Sequence, residues 1–329
     1  MTFAKTIPAC TLGLFCWLLV GTVWGQAAAA PEKVTLPELQ NMTLTTKDGV
    51  QLRCTFLPGG VVQTKPGVFE RKDGKKVVPI IMLHGGEGRR ADFSALAFFL
   101  QNQGHAVILP DLRGFGESTT IRISGKDETL NRERFRKNDY AAMVLDVEAV
   151  KRFLLDRNNA GELNIEMLGV IGADMGSIVA VNWAALDWQR RDLIGLKQGK
   201  DVKALVLLSP TQSFKGFSMG QALQNPAVAS RLSMMIIYGQ QDRESVSDAK
   251  AILKRLERFH PEPEPSEVAT KKDLFEVTRP TDLHGTALID PRAMLGLQVD
   301  ISKFIDLRLV SKAAELTWNE RKNPLDTTE

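Results

Sequence analysis

Three residues able to carry a hydrolytic reaction, Asp174, Asp242 and His284, each stand just after an apolar run. Asp174 is the centre of Gly172-Ala-Asp-Met-Gly176. Small residues two before and two after it let the backbone pass through a sharp strand-to-helix turn, and such a turn thrusts the central side chain out over the strand ends. A carboxylate there cannot usefully attack an ester carbonyl, because the product is an anhydride. It can displace a leaving group at saturated carbon and form an alkyl-enzyme ester. A histidine then activates water against the carbonyl of that ester.

The elements needed to position these residues are legible around them. Met167 to Ile171 has the length of a buried strand, and Ile178, Val181, Ala185 and Leu186 recur at helical spacing after the turn. Upstream, Val34 to Gly60 reads as a hairpin, in which Thr43 to Phe56 alternates around a turn at Asp48-Gly49 or Lys47-Asp48. Thr64 to Lys76 reads as a polar surface connection. Val77–Leu83 is a buried strand running into His84-Gly-Gly-Glu-Gly88, Ala91–Gln103 a helix, and His105–Pro110 another strand. Strand, helix, strand with short links predicts a parallel sheet. Thr119–Asn138 is a charged excursion with Arg132, Arg134, Arg136 and Lys137, read as a solvated loop, with binding of an anionic group as the alternative. Tyr140–Arg157 predicts an amphipathic helix. Strands follow at Val202–Leu208, Ser233–Tyr238 and Asp273–Val277, with helices at Asp248–Phe259 and Pro291–Leu309. The polar tail from Ser311 is expected to pack loosely.

Composition sets outer bounds. The chain has 329 residues with 42 basic and 39 acidic side chains, a net charge of +3, and the two signs are interleaved. That balance gives no electrostatic case for nucleic acid. Residues 1–29 read as a secretory signal peptide. Lys5 precedes the apolar stretch Leu12–Val23, too short for a comfortable membrane span, and small residues follow at Val23-Trp-Gly25 and Ala27–Ala29. Cleavage places the protein in the periplasm or the medium; retention leaves it membrane-anchored. Removing the segment also removes Cys10 and Cys16, so Cys54 remains alone and no internal disulfide is expected.

Taken in order, the features over roughly residues 43 to 309 resemble the α/β-hydrolase family. His84-Gly85-Gly86 is similar to its His-Gly oxyanion loop. Asp111-Leu-Arg-Gly-Phe-Gly-Glu-Ser118 is similar to its Asp-x-Arg-Gly-x-Gly-x-Ser signature. The Gly-x-Asp-x-Gly turn, the acid Asp242 and the late His284 follow the family's order of nucleophile, acid and histidine. The resemblance implies one domain over 34–310 with a tail at 311–329. Within it lies a mostly parallel central sheet flanked by helices, with an N-terminal β-hairpin and little or no cap. It implies that Asp242 orients His284, that His284 faces Asp174, and that the N–H groups of Met175 and of Gly86 or Glu87 form an oxyanion hole. Outside that scheme, Asp242 reads as a strand-end cap and His284 as a hydrogen-bonded loop histidine. His84 is expected to shape its loop.

Asp in place of Ser at the elbow is similar to the epoxide hydrolase and haloalkane dehalogenase branches. The chain departs from them in Met175, where they carry Trp, and in the shortness of Thr211–Arg231, where they carry a helical cap. Its tyrosines, Tyr140 and Tyr238, lie outside that segment. Two functions follow from the resemblance. One is a hydrolase of a small molecule using Asp174, Asp242 and His284 with no cofactor. The other is a catalytically silent binding or scaffold protein, in which Asp174 sits partly protonated beside Glu87 unless Arg89 or Arg90 offsets the repulsion. A metal held by the same three side chains has no His-rich spacing behind it.

Overall fold

The computed structural model describes residues 1–2 and 34–322, so the signal segment lies, but for its first two residues, outside the described residues. The chain divides into Met1–Lys33 and Val34–Glu329, and the second unit contains the sheet and every candidate site residue.

The elements of that unit run β1 (Gln40–Thr45), β2 (Val50–Leu57), β3 (Val61–Lys65), β4 (Val68–Arg71), β5 (Pro79–Leu83), α1 (Ser94–Asn102), β6 (Ala106–Pro110), β7 (Thr120–Ile123) and β8 (Lys126–Thr129). The next are α2 (Lys137–Ala141), α3 (Val144–Asn159), β9 (Leu168–Ala173), α4 (Met175–Gln189), β10 (Val202–Leu208), β11 (Ser213–Phe214) and β12 (Phe217–Ser218). The last are α5 (Pro226–Arg231), β13 (Ser233–Gly239), α6 (Arg243–Glu257), α7 (Val268–Lys271), β14 (Leu274–Arg279) and α8 (Leu297–Ile305).

Among the described residues the main sheet has ten strands in the order β14-β13-β10-β9-β5-β6-β2-β7-β8, with β1 paired to β2. From β14 to β6 all neighbours are parallel. The pairs β6·β2, β1·β2, β2·β7 and β7·β8 are antiparallel. Every residue of β5, β6 and β9 is buried. Such strands are covered on both faces and therefore read as continuous apolar runs. Their alternate side chains feed two cores. Ile81 and Leu83 join the layer beneath α3, α4 and α6, while Ile80 and Met82 join the layer beneath α1 and α8.

The structure redraws four segments. The Thr64–Lys76 connection is built around the β3–β4 hairpin. The charged excursion 119–138 opens with β7 and β8, which extend the main sheet. The expected helix 291–309 is broken, because Met294 (φ 53°) and Gly296 (φ 69°) are left-handed before α8 begins. The described part of the polar tail, to residue 322, is docked rather than loose: Trp318 Nε1 donates to the Asn158 carbonyl at 3.1 Å, and Arg321 is buried among carboxylates.

The Asp111–Ser118 signature does structural work. Asp111 accepts from the Arg90 N–H (2.7 Å) and the Glu117 N–H (3.0 Å), and Ser118 Oγ accepts from the Arg53 N–H (2.8 Å). Arg113 grips the fully buried Asp146 through Nε (2.9 Å) and Nη2 (2.7 Å), and reaches Asp48 at 2.5 Å. Burial pushes the Asp146 carboxyl up to about 6, even with Arg113 holding it down. These pairs lock the loop after β6 beside the loop after β5.

Candidate active site

The turn between β9 and α4 is as sharp as its sequence suggests. Asp174 has φ 46° and ψ −117°, a conformation that non-glycine residues rarely hold. Close approach explains its glycines. A Cβ on Gly172 would lie 2.5 Å from the Gly176 carbonyl oxygen, and one on Gly176 would be driven into the carbonyl oxygen of Leu83. Ser177 lies one residue past the turn. It is fully buried and donates to the Gly172 carbonyl at 2.9 Å, so its hydroxyl cannot stand in for Asp174.

The structure brings Asp174, Asp242 and His284 together. His284 Nδ1 bonds Asp242 Oδ2 at 2.8 Å, while Nε2 lies 3.9 Å from Asp174 Oδ1, at ion-pair distance and beyond a hydrogen bond. Asp242 is also the N-cap of α6, with Oδ1 accepting from the Glu244 N–H (3.2 Å) and the Ser245 N–H (3.4 Å). Cap and histidine partner are therefore one side chain. Ser245 Oγ adds a fourth donor to it, at 2.5 Å from Oδ2. Sequence reasoning missed Ser245, although its place three residues after a helix cap was a usable signal.

The other carboxylate oxygen of Asp174 is held by backbone. Oδ2 accepts from the Gly86 N–H at 3.0 Å, and the adjacent Met175 N–H helps to favour the charged form of the carboxylate. Gly86 is thus the amide that reaches Asp174. Among the described residues no bond runs from the Glu87 N–H to Asp174; the Gly88 N–H to Gly85 carbonyl bond (3.1 Å) closes a tight turn there, with the Glu87 side chain exposed. His84 shapes this loop as expected. Its Nδ1 bonds the Gly85 carbonyl (2.8 Å) and its Nε2 accepts from the Leu112 N–H (3.0 Å). Burial lowers its basicity, so it stays neutral.

Charge in the site differs from the sequence expectation. Burial alone would raise the Asp174 pKa, but His284 and the Gly86 and Met175 amides outweigh it and hold the carboxyl below its ordinary range. Asp174 is ionised, not half-protonated beside Glu87. Arg90 contributes little to this, since it is turned onto Asp111 and Glu117. His284, facing Asp174 and bonded to Asp242, is pushed up to about 9 against the pull of burial. The resting site is a cationic imidazolium between two carboxylates.

Aromatic side chains close one side. The Phe214 ring of the β11–β12 hairpin packs so tightly on Gly86 that a Cβ there would lie 2.7 Å from Cζ. Tyr140 meets Phe214 edge-on at 5.3 Å, and Phe135 meets Tyr140 at 5.7 Å. The segment after β10 is thus a miniature cover, and Tyr140 reaches it from α2 rather than from within it.

Known proteins share this frame. A family model described as alpha/beta hydrolase fold matches residues 78–252, just over half of the chain. An esterase from Pyrococcus furiosus superposes with a TM-score of 0.51 at 17% identity, covering 82% of this chain and 90% of that one. Dienelactone hydrolase from Anabaena variabilis gives 0.53 at 15% identity, covering 84% and 100%. Acylaminoacyl peptidase from Pyrococcus horikoshii gives 0.56 at 12% identity, covering 90% of this chain and 45% of that one. At these identities the likeness is one of fold. No curated protein matches the chain in sequence.

Proposed function

The chain belongs to the α/β-hydrolase fold family, and from that premise we propose that it hydrolyses a small molecule through a covalent ester on Asp174. The observation that carries this reading is the division of labour between the two oxygens of Asp174. Oδ2 is tied to the Gly86 amide, and Oδ1 is left facing His284 Nε2 at 3.9 Å. An oxygen on Oδ1's side can displace a leaving group at saturated carbon. Oδ2 then becomes the carbonyl oxygen of the ester and already sits against a backbone N–H, where negative charge develops when water attacks Cγ. Forming the ester also removes the charge on Asp174, the foremost cause of the raised His284 pKa. His284 is therefore protonated and able to act as a general acid before the ester forms; once the Asp174 charge is gone it gives up that proton to the leaving group or to solvent and acts as the base for water, with Asp242 and Ser245 fixing its ring.

The same bonds favour one second reading. An acyl substrate would need the Gly86 and Met175 amides for its own oxyanion, and Asp174 occupies them. For ester chemistry the side chain acts as a plug, and a silent binding protein would look like this. Turnover in heavy-oxygen water separates the two. Epoxides, alkyl halides and esters are offered, and the peptide carrying Asp174 is weighed. Substrate-dependent heavy oxygen in the carboxylate supports the covalent route. Product without label moves the attack to water, and no product with no label favours the silent protein.

Export belongs to the same proposal and rests on the Lys5 and Leu12–Val23 pattern. N-terminal sequencing of protein recovered outside the cytoplasm tests it. A mature start near Gln26 or Ala30 is expected, and a start at Met1 would overturn signal removal.

A further inference from the structure

Arg132 is the side chain that the hydrolytic scheme leaves without a task. It comes from the excursion between β8 and α2, and its Nη1 donates to the Gly86 carbonyl at 3.1 Å. Gly86 is the residue whose N–H holds Asp174 Oδ2, so a single residue spans the distance from this guanidinium to the candidate nucleophile. The guanidinium lies over the Phe115 ring, 4.7 Å from its centroid, a cation–π contact. Arg132 lines an open cleft of about 570 Å³ together with Glu87, Gly88, Arg89, Asp92 and Phe115, among others.

The charges around that cleft are unequally committed. Asp92 accepts from the Arg89 N–H (2.9 Å) and caps its own turn. Glu87 meets Arg132 Nη2 at 3.4 Å with its side chain 87% exposed. Such a solvated pair is weak and readily exchanged. A planar, always-charged fork on a short tether from a reacting centre is suited to a carboxylate, which it can grip through two parallel N–H groups.

We infer that Arg132 is a specificity-determining residue, and that the substrate carries a carboxylate which displaces Glu87 from it while the reacting carbon lies at Asp174. This rests on the hydrolase reading for the reacting carbon, but the anion site can be tested by binding alone. On the other side of Gly86, the rings of Phe214 and Tyr140 offer a surface for an apolar arm.

The probes are phenylacetate and its neutral isostere phenylacetamide, titrated by calorimetry into the wild-type protein and into Arg132→Gln and Asp174→Asn. Phenylacetate is expected to bind at least tenfold more tightly than phenylacetamide. Arg132→Gln is expected to abolish that difference and leave phenylacetamide unchanged, while Asp174→Asn preserves it. Equal binding of the two probes, no binding of phenylacetate, or a preference that survives Arg132→Gln would overturn the inference. Equal weakening of both probes by Arg132→Gln would also overturn it, since Arg132 would then only tether the Gly85–Gly88 turn. Circular dichroism of Arg132→Gln checks that the fold is intact, and Arg132→Lys, which keeps the charge but loses the fork, should recover part of the preference. The labelling of Asp174 reports separately on the chemistry, so a failed anion site and a failed hydrolase reading give different results.

Discussion

Asp174 Oδ1 and His284 Nε2 face each other at 3.9 Å, while Oδ2 of the same carboxylate is bonded to the Gly86 N–H at 3.0 Å. The pair couples two ionisations: the anion keeps the imidazole protonated, and the imidazolium keeps the carboxyl ionised. His284 at about 9 is therefore a property of Asp174 first and of Asp242 second. Asp174→Asn should move the His284 titration down towards the ordinary histidine value of about 6.5. The imidazole proton resonances followed through pH by NMR report it. A titration that stays near 9 in the variant would mean that Asp242 alone sets the charge.

The same coupling gives stability a pH dependence of known sign. The folded pKa of His284, about 9, lies above its unfolded value of 6.5. Its contribution is therefore fully present below about pH 6.5 and is lost as pH rises through about 9. The stability difference between wild type and His284→Asn should shrink between pH 6 and pH 9.5, as read from urea midpoints at each pH. A difference that is flat or grows over that window contradicts the assigned charge state.

Asp174→Ser empties the amides that the carboxylate now fills. If Gly86, Met175 and His284 are competent for acyl transfer, this variant should hydrolyse p-nitrophenyl acetate roughly 10²-fold faster than Asp174→Ala, the lower end of what a positioned general base contributes, since the two variants differ only in the hydroxyl that His284 can activate. The wild type should remain slow on the same ester. An inert Asp174→Ser would assign the defect to the whole site rather than to the nucleophile alone.

How far the sequence reached depends on what each part of the fold is made of. Strands such as Pro79–Leu83 and Val202–Leu208 are buried on both faces, so apolar runs reported them almost to the residue. The order Asp174, Asp242, His284 located the candidate site because turn glycines and strand ends leave local signals. Charged segments were harder to read. Arg132 lies in a run of basic residues that looks solvated, and its bond to Gly86 spans 46 positions. Phe214 is visible only once the loop after β10 is folded against Gly86, whereas Ser245 left a local signal in its spacing from the cap of α6. Protonation could not be read at all, because it depends on which backbone amides converge on Asp174.

The elbow itself should be intolerant of one methyl group. A Cβ on Gly176 collides with the Leu83 carbonyl of β5, an element that cannot retreat without disturbing β9 and β6 on either side. Gly176→Ala should cost about 1–3 kcal/mol, the range for overpacking a well-filled core. Denaturant melts measure the loss. A substitution without effect would mean that α4 can shift away from β5.

Arg321 shows how a polar tail can be structural. Its guanidinium meets Glu166 at 2.9 Å and also Asp201, and its Nη1 donates to the Lys197 carbonyl at 2.9 Å. Asp201 shares Lys151 with Asp187, at 2.7 and 2.5 Å, in an almost solvent-free cluster. Hydropathy gives no sign of this, because the docking is made of ion pairs and of Asn158 and Asn159 bonding the carbonyls of Asn319 and Arg321. Removing Arg321 leaves Glu166 and Asp201 with Lys151 and Lys197 still beside them, so they are under-paired rather than bare. Arg321→Ala should then cost about 1–3 kcal/mol, the penalty for a buried polar group that loses a partner. It should act without altering the His284 titration, since the cluster does not touch the candidate site. Thermal melts and the NMR titration on the same sample test both halves, and a shifted His284 pKa would show that the tail and the site are coupled.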